Sequence, residues 1–167
     1  KLLELTMAYG MSEFDFLKYA NQIGYSMKLG HPEEFAALMD ELCITYILYA
    51  LSKLGWSHQY NIDNVVTASR AIEDLGVTTD HQTLFLHVLR ELAKQGYLED
   101  AGENTYRVLQ VFPTAQELFD MSEKLLVTGK DKYPEFLAEF SMVERSGKDL
   151  HNVLRGTLTG LQILFPN

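Results

Sequence analysis

The sequence is poor in the residues that build covalent frameworks. Cys43 is the only cysteine in 167 residues, so no disulfide forms within the chain. A single cysteine is typical of proteins from a reducing compartment, and we predict a cytoplasmic location. Cys43 lies within the apolar run Leu42-Cys43-Ile44, which predicts a buried structural thiol rather than a reactive one.

Positive charge is also scarce. Lysine and arginine together number 14 against 23 acidic residues, which gives a formal net charge of -9. Because nucleic acids and anionic membranes bind to basic surfaces, we predict neither as the main partner. The longest strongly apolar run, Ile44 to Leu51, is much shorter than a membrane span, and we predict no signal peptide.

The common motifs of catalysis and cofactor binding are missing as well. We find neither a GxSxG nucleophile elbow nor a GxGxxG or GxxxxGK[ST] nucleotide loop. The closest pair of histidines, His81 and His87, is six residues apart, whereas two ligands on one helix face are four apart. The sequence therefore predicts no catalytic residue, no metal site and no cofactor site within this chain.

Helical periodicity is what the sequence has in abundance. An N-terminal helix is predicted from Ser12 to about Lys28. A second helix begins after Pro32 and ends at Gly55, and its apolar stripe includes Tyr46 and Tyr49. The second half of this helix is apolar nearly all round, which predicts a central helix with neighbours on several sides.

The next segment predicts two further helices and a β-hairpin. In the second strand, Tyr106 and Val108 alternate with polar residues and are expected to share one face. Three helices followed by a hairpin is the order of elements in a winged-helix fold. The helices and strands are predicted at about Asp63–Leu75, Thr79–Gln95, Tyr97–Glu99 and Thr105–Val111.

The chain returns to helix after Pro113. Thr114 is the predicted N-cap of a helix that ends before a polar loop at Gly129–Lys132. Two more helices are predicted, from Pro134 to about Ser146 and from Asp149 to Arg155. The predicted fold is mainly α: a helical bundle with a winged-helix-like core and a short β-hairpin.

Three parts of the chain are predicted on this basis. They are an N-terminal helical segment (1–30), the winged-helix-like core (31–112) and a C-terminal helical segment (113–167). The chain begins with Lys1 and ends with Phe165-Pro166-Asn167, and we expect it to be a piece of a longer polypeptide.

The C-terminal third resembles a known family. Val143-Glu144-Arg145-Ser146-Gly147-Lys148-Asp149-Leu150 is followed by Val153-Leu154-Arg155-Gly156 and then by Leu161-Gln162-Ile163-Leu164-Phe165-Pro166. This pattern resembles the segment just ahead of the methyltransferase core in modular bacterial polyketide synthases. The likeness covers roughly Leu38 to Asn167. It departs at Thr157-Leu158-Thr159-Gly160, where the family has an acidic residue and a proline.

The resemblance implies a function without chemistry of its own. In that family the segment is a helical lid over the substrate and S-adenosylmethionine cleft of the core that follows. The resemblance thus implies a non-catalytic lid or substrate-positioning domain. The cofactor would be S-adenosylmethionine, held by the adjoining core. The implied partners are that core, in the same polypeptide, and an acyl substrate tethered to a carrier protein.

The resemblance also supplies candidate residues for the substrate cleft. Arg145, His151 and Arg155 are polar groups within the matched segment and are expected to face the cleft. The alternative is that the two arginines pair on the surface with nearby acids such as Glu144 or Asp149.

Aromatic residues of the second helix give two further candidates. Tyr46 and Tyr49, with Trp56 just beyond them, are placed to line a pocket. The alternative is that they are core residues with their polar atoms at the rim. The apolar run Leu161–Phe165 is a candidate for an exposed patch that another domain covers.

Two other classes of function remain open from the sequence. A winged-helix module can mediate protein interaction or dimerisation, as in small-molecule O-methyltransferases. A winged helix can also belong to a transcription regulator that reads DNA. The predicted recognition helix and hairpin carry a mixed-to-acidic surface, which would repel phosphates, so DNA binding is the less favoured of the two.

Overall fold

A computed structural model describes residues 33–164 of the chain, with the backbone alone described at Leu164. The predicted helix at Ser12–Lys28 and the end of the apolar run at Phe165 lie outside the described residues. Within 33–164 the chain forms eight α-helices, two 3-10 turns and three strands. The prediction of a mainly α fold is therefore confirmed.

The helices are α1 Glu33–Leu54, α2 Trp56–Gln59, α3 Ala68–Leu75, α4 Gln82–Lys94, α5 Ala115–Lys132, α6 Leu137–Lys148, α7 Leu150–Leu154 and α8 Gly160–Leu164. The strands are β1 Val65–Thr67, β2 Leu98–Gly102 and β3 Thr105–Val108, and the 3-10 turns are Thr79–His81 and Pro134–Phe136. The chain divides into two compact units, residues 1–37 and 38–167. The boundaries predicted after residues 30 and 112 stay predictions.

Helix α1 supplies one wall of the core. Leu48, Leu51 and Leu54, all from its second half, belong to the main apolar cluster. By length and composition α1 also meets the criterion for a membrane-crossing helix, with 22 residues. Core helices of soluble proteins meet the same criterion, which therefore does not distinguish a membrane span from a core helix.

The prediction of a buried Cys43 is wrong, because its side chain is exposed. Successive residues of a helix are rotated by about 100° around its axis. Cys43 therefore points away from its buried neighbour Leu42, although both lie in one apolar run.

The helix predicted at Asp63–Leu75 is wrong in its first part, because strand β1 precedes α3. Three consecutive β-branched residues, Val65 to Thr67, fit a strand better than a helix. Val65 is 59% exposed, whereas Val66 is buried, as expected for successive residues of a strand. The Thr67 hydroxyl then accepts a hydrogen bond from the Arg70 N–H at 3.2 Å and caps α3.

The predicted hairpin is present with shorter strands. Glu103 and Asn104 have positive φ values of 53° and 55°, as in the two-residue turns that suit the twist of a hairpin. Tyr106 and Val108 are both buried, which confirms that they share one face. Strand β3 ends at Val108 instead of the predicted Val111, which is exposed.

The three strands form one antiparallel sheet in the order β1-β3-β2. Strand β3 lies in the middle, so Tyr106 pairs with Val66 on one side and with Asp100 on the other. Along the chain the elements follow as α1, β1, α3, α4, β2 and β3. This order fits the winged-helix prediction, which stays a prediction.

One apolar cluster joins the sheet to helices α1, α3 and α4. Trp56 is at its centre, stacked on Phe112 with 5.5 Å between ring centroids and an angle of 9° between ring planes. Tyr60 contacts the same indole edge-on at 4.7 Å. Other buried members are Val66, Ala71, Leu75, Phe85, Val88, Leu89, Leu92, Leu98, Tyr106 and Val108.

Helix α5 begins where the sequence predicts and ends later. The Thr114 hydroxyl accepts from the Glu117 N–H at 3.3 Å, and the Glu117 carboxylate accepts from the Thr114 N–H at 2.8 Å. This is a capping box, and it confirms Thr114 as the N-cap. The predicted loop at Gly129–Lys132 is wrong, because these residues form the last turn of α5.

The end of the described chain is helical too. Helix α6 buries Phe140 but exposes Leu137 and Met142. A break at Asp149 separates α6 from the short helix α7. Helix α8 packs against α6. It buries Ile163 and leaves Leu161 61% exposed, so only part of the predicted patch faces solvent.

Candidate binding site

A shallow pocket lies between α1 and the first turns of α5. Its cavity is about 290 Å³, and its walls are Tyr49, Lys53, Ala115, Gln116 and Phe119. Tyr49 and Lys53 are one helical turn apart on α1 and share a face. The capping box at Thr114 fixes where α5 begins, and hence which α5 side chains reach the pocket.

Aromatic contacts connect this pocket to helix α7. The Tyr49 ring lies 6.1 Å from the Phe119 ring, tilted by 48°. It lies at the same distance from the His151 imidazole, which meets it edge-on at 89°. Three helices thus bring together two residues, Tyr49 and His151, that the sequence singles out separately.

His151 is held in its neutral form by its surroundings. Desolvation, followed by the positive charge of Lys53, lowers the pKa of its imidazole below the usual 6.5. Arg155 also lowers this pKa, whereas Asp149 opposes the shift. The His151 Nδ1 atom is buried and lacks a hydrogen-bond partner within the described residues.

Tyr46 is placed differently from Tyr49. Its ring is buried where α1 crosses α6, and a Cβ atom added at Gly147 would overlap that ring. Burial raises the pKa of the Tyr46 phenol, and the nearby Ser122 side chain opposes this shift. Tyr46 is therefore a packing residue in this structure, and Tyr49 lines the pocket.

The two candidate arginines are exposed, and neither pairs with a carboxylate in the described part of the chain. The Arg145 Nε donates to the Ser141 carbonyl at 3.2 Å on the outer side of α6. Glu144, the proposed alternative partner of Arg145, pairs instead with Lys130 at 2.6 Å and with Lys148 at 2.7 Å. Arg155 is near His151, because it affects that residue's pKa.

Lysines at the α5–α6 contact belong to an ion network that the sequence does not reveal. Lys148 bonds Glu144 and also Glu123 at 2.9 Å. Desolvation alone would lower the pKa of Lys148, but its two carboxylate partners raise it above its usual value. The Lys130 and Lys148 hydrogen bonds lower the pKa of Glu144. Lys148 also lies 5.4 Å from the centre of the Phe119 ring.

Sequence analysis missed Lys53, Gln116 and Phe119. Lys53 follows Tyr49 by four residues, and that spacing is a usable signal once the helix is assigned. Nothing in the sequence indicates that α5 lies across this face of α1. Among the described residues no cluster of three metal-ligating side chains occurs, so the pocket has no metal site built from them.

A second cavity, of about 620 Å³, lies beside the hairpin between α4 and β2. Its basic residues already have partners: Lys94 bonds Glu91 at 2.8 Å and Arg90 contacts the Asn104 side chain at 3.4 Å. On the neighbouring strands Arg107 is 3.5 Å from Glu99. Of these three cations, only Arg90 lacks an acidic partner among the described residues, so this surface offers one unpaired positive charge to an anionic partner.

The chain is similar to part of a known synthase. It is 30% identical over 131 residues to the non-reducing polyketide synthase pkiA of Emericella nidulans. The match covers 78% of this chain and 5% of that protein, so the chain spans a small part of the synthase. No protein-family model matches the chain.

Solved structures agree with this similarity at the level of the fold. The selenomethionine form of the CurJ carbon methyltransferase superimposes with a TM-score of 0.70 at 23% identity, covering 99% of this chain and 40% of that one. The DszA carbon methyltransferase superimposes with a TM-score of 0.68 at 20% identity, covering 84% and 34%. These matches confirm the resemblance that the sequence indicates.

Proposed function

We propose, from its similarity to the N-terminal region of polyketide synthase methyltransferases, that this chain is a non-catalytic helical lid. In this proposal it covers the cleft of a methyltransferase core in the same polypeptide and positions the substrate there. The core holds S-adenosylmethionine, and the acyl substrate arrives on a carrier protein. The proposed location is cytoplasmic.

The observation that carries the proposal is that the structural match covers nearly all of this chain but less than half of the methyltransferase. Nearly the whole of this chain, 99%, matches one of them, yet it accounts for only 40% of that protein. The chain thus has the fold of one part of such an enzyme, and the remaining part is available for the chemistry. Its identity to a polyketide synthase supports the same context.

The described residues do not fit S-adenosylmethionine. A nucleotide-type cofactor is commonly held by a glycine-rich turn between a parallel strand and a helix. All three described strands are antiparallel, and their pairing leaves no such crossover. Gly147 and Gly129 face side chains of neighbouring helices, Tyr46 and Phe140, rather than an open loop. We therefore assign no step of methyl transfer to these residues.

The cleft-facing residues are part of the proposal. Arg145, His151 and Arg155 are carried over from the resemblance, and Tyr46 and Tyr49 from the aromatic pattern of α1. Exposure at Arg145 and Arg155 leaves both guanidinium groups available to a covering core. Burial of Tyr46 makes that residue the weakest of the five candidates.

Isothermal titration calorimetry tests the proposal directly. The isolated chain should show no saturable heat with S-adenosylmethionine, whereas the full synthase that contains it should bind the cofactor. Methyl transfer to a carrier-bound acyl substrate should likewise need the core. Stoichiometric cofactor binding by the isolated chain would contradict the lid assignment. Hydrogen exchange in the full synthase should show protection of α6 to α8 relative to the isolated chain.

A second candidate function is a protein-interaction or dimerisation module. The observation that favours it is the sequence of elements from α1 to β3 with sheet order β1-β3-β2, which fits a winged helix. Sedimentation equilibrium tests this alternative, which requires a dimer at micromolar concentration. A monomer over the whole concentration range would exclude dimerisation as its role.

The third alternative, a transcription regulator, has less support. The basic residues of α4 and the hairpin already contact acids or an amide, as described for Lys94, Arg90 and Arg107. DNA readers instead present free basic side chains to phosphates. Fluorescence anisotropy with a labelled duplex tests this alternative, which requires binding that weakens steeply as salt is raised.

A further inference from the structure

The pocket between α1 and α5 has a chemical character that the lid proposal does not use. Its floor and walls combine two aromatic rings, Tyr49 and Phe119, with the amide of Gln116 and the ammonium group of Lys53. One cation beside an aromatic surface is a common way to recognise an anion that carries an apolar body.

The charge of Lys53 is free to act on a ligand. Lys53 is exposed, and no carboxylate among the described residues lies within ion-pair distance of its Nζ. Arg155, which affects the same imidazole of His151, is also without a carboxylate partner in the described chain. By contrast, Lys94, Lys130 and Lys148 all bond acids at 2.9 Å or less.

The carboxylates nearest to the pocket along the chain already have partners. Glu117 accepts from the Thr114 hydroxyl and N–H at 2.7 and 2.8 Å. Asp120 accepts from the Gln116 amide at 2.9 Å. Asp149 accepts from the Asn152 amide, also at 2.9 Å. These carboxylates keep their negative charge, in a chain with a net charge of -9, but none forms an ion pair with Lys53, whose ammonium group is therefore available to a ligand.

We propose that this pocket binds a small aromatic carboxylate, with the carboxylate paired to Lys53 and the ring packed against Tyr49 and Phe119. A cavity of about 290 Å³ has room for a single ring with its acid group. The pocket is built from α1 and α5 alone, so the proposal stands independently of the lid function.

Chemical-shift titration of the isolated chain with benzoate tests the proposal. Benzamide serves as the neutral isostere, acetate as the charge without the ring, and inorganic phosphate as an unrelated anion. Benzoate should produce saturable shifts at Tyr49, Lys53 and Phe119. Benzamide, acetate and phosphate should each bind about tenfold more weakly, because each lacks the ring, the carboxylate or both. Equal affinity for benzamide, or shifts that never saturate, would overturn the proposal.

Two lysine variants distinguish an ion pair between benzoate and Lys53 from a general effect of the protein's net charge. Lys53→Met keeps most of the aliphatic stem and removes the charge, so it should weaken benzoate binding about tenfold. Lys124→Met is the matched control, because Lys124 is exposed on α5, outside the pocket walls. It should leave the affinity unchanged. Equal loss in both variants would show that benzoate responds to net charge alone, which contradicts the proposed site.

Tyr49→Leu tests the aromatic half of the proposal. It should weaken benzoate binding and leave the much weaker acetate response unchanged, because only benzoate has a ring to pack. Thermal melting of each variant checks that the fold is retained. Unchanged benzoate affinity in a folded Tyr49→Leu protein would show that the ligand ring does not pack against Tyr49, which contradicts the proposal.

Discussion

Two regions of the molecule hold together by different means. Around the sheet, α3 and α4 pack with the second half of α1 on a continuous apolar cluster centred on Trp56. Ion pairs around the sheet lie on the surface. They join residues of one helix, as Arg70 and Asp74 do, or residues of the β-hairpin. The α5–α6 contact differs, because Lys130, Lys148 and their acidic partners join the two helices directly.

Glycine is the second difference between the regions. Gly129 and Gly147 are buried inside helices α5 and α6, where glycine is usually unfavourable. A Cβ at Gly129 would lie 2.5 Å from the Phe140 ring, and one at Gly147 would overlap Tyr46. Close approach of helices at these two points explains why the α5–α6 region depends on exact side-chain size, whereas the apolar cluster depends on buried area.

The largest expected effect is loss of the ring at the centre of the apolar cluster. Trp56→Ala should lower the free energy of unfolding by about 3–5 kcal/mol, because it removes a large buried side chain and leaves a cavity. Urea denaturation followed by circular dichroism measures this. Val111→Ala, at a residue that is 65% exposed, is the control and should change stability by less than about 0.5 kcal/mol. Equal effects would show that the cluster is not the main source of stability.

Adding one methyl group should destabilise the packing of helix α6. Gly147→Ala should destabilise the protein by about 1–3 kcal/mol, because the new Cβ forces the Tyr46 ring to move. Gly160→Ala is the matched control, since a Cβ there meets nothing within 4 Å. Thermal melting should show a lower midpoint for the first variant only. A neutral Gly147→Ala variant would mean that α6 shifts freely over α1 and would weaken the contrast between the regions.

The capping box sets the start of helix α5, and its loss should have an intermediate effect. Thr114→Ala should cost about 1 kcal/mol, because two hydrogen bonds to Glu117 are lost from the first turn of α5. Thr114→Ser keeps the hydroxyl and should retain most of the stability. Chemical denaturation distinguishes the two substitutions. If both variants lose the same amount, the methyl group of Thr114 matters rather than its capping bond.

The smallest expected effect concerns the ion network and depends on pH. The pKa of Glu144 is lowered in the folded chain, so its ion pairs add stability above its ordinary pKa of 4.5. This stability is lost as the pH falls from there through the lowered pKa. Glu144→Gln should cost about 1 kcal/mol or less at neutral pH and little in acid.

Melting curves between neutral pH and pH values well below 4.5 check this dependence. Glu135→Gln is the control, because Glu135 is exposed in the turn before α6 and has no described ion pair within residues 33–164. A Glu144→Gln effect that stays constant across the pH range would contradict an electrostatic role for the network.

Sequence periodicity was sufficient where burial alone decides structure. It predicted α1 with its apolar second half, the shared face of Tyr106 and Val108, and the Thr114 cap, because each signal is local. It misassigned Val65–Thr67, where a β-branched segment becomes a strand only because β3 lies beside it. It also predicted a loop at Gly129–Lys132, where contacts with Phe140 and Glu144 extend α5.

The candidate site shows the same division between local and long-range information. The sequence singled out Tyr49 and His151 for separate reasons, one from a helical stripe and one from a family resemblance. It did not indicate Phe119 or Lys53, because neither stands out in its own segment. Only the crossing of α1, α5 and α7 brings their side chains together.

By itself, the sequence determined a mainly helical chain that resembles part of a polyketide synthase methyltransferase and lacks recognisable catalytic motifs. Those properties follow from residue order, which fixes periodicity, caps and motifs over a few turns. The tertiary structure alone decided which tyrosine is buried, which cations are paired and where the pocket lies. Such properties depend on helices distant in sequence, and no local pattern encodes the angle or the distance at which they pack.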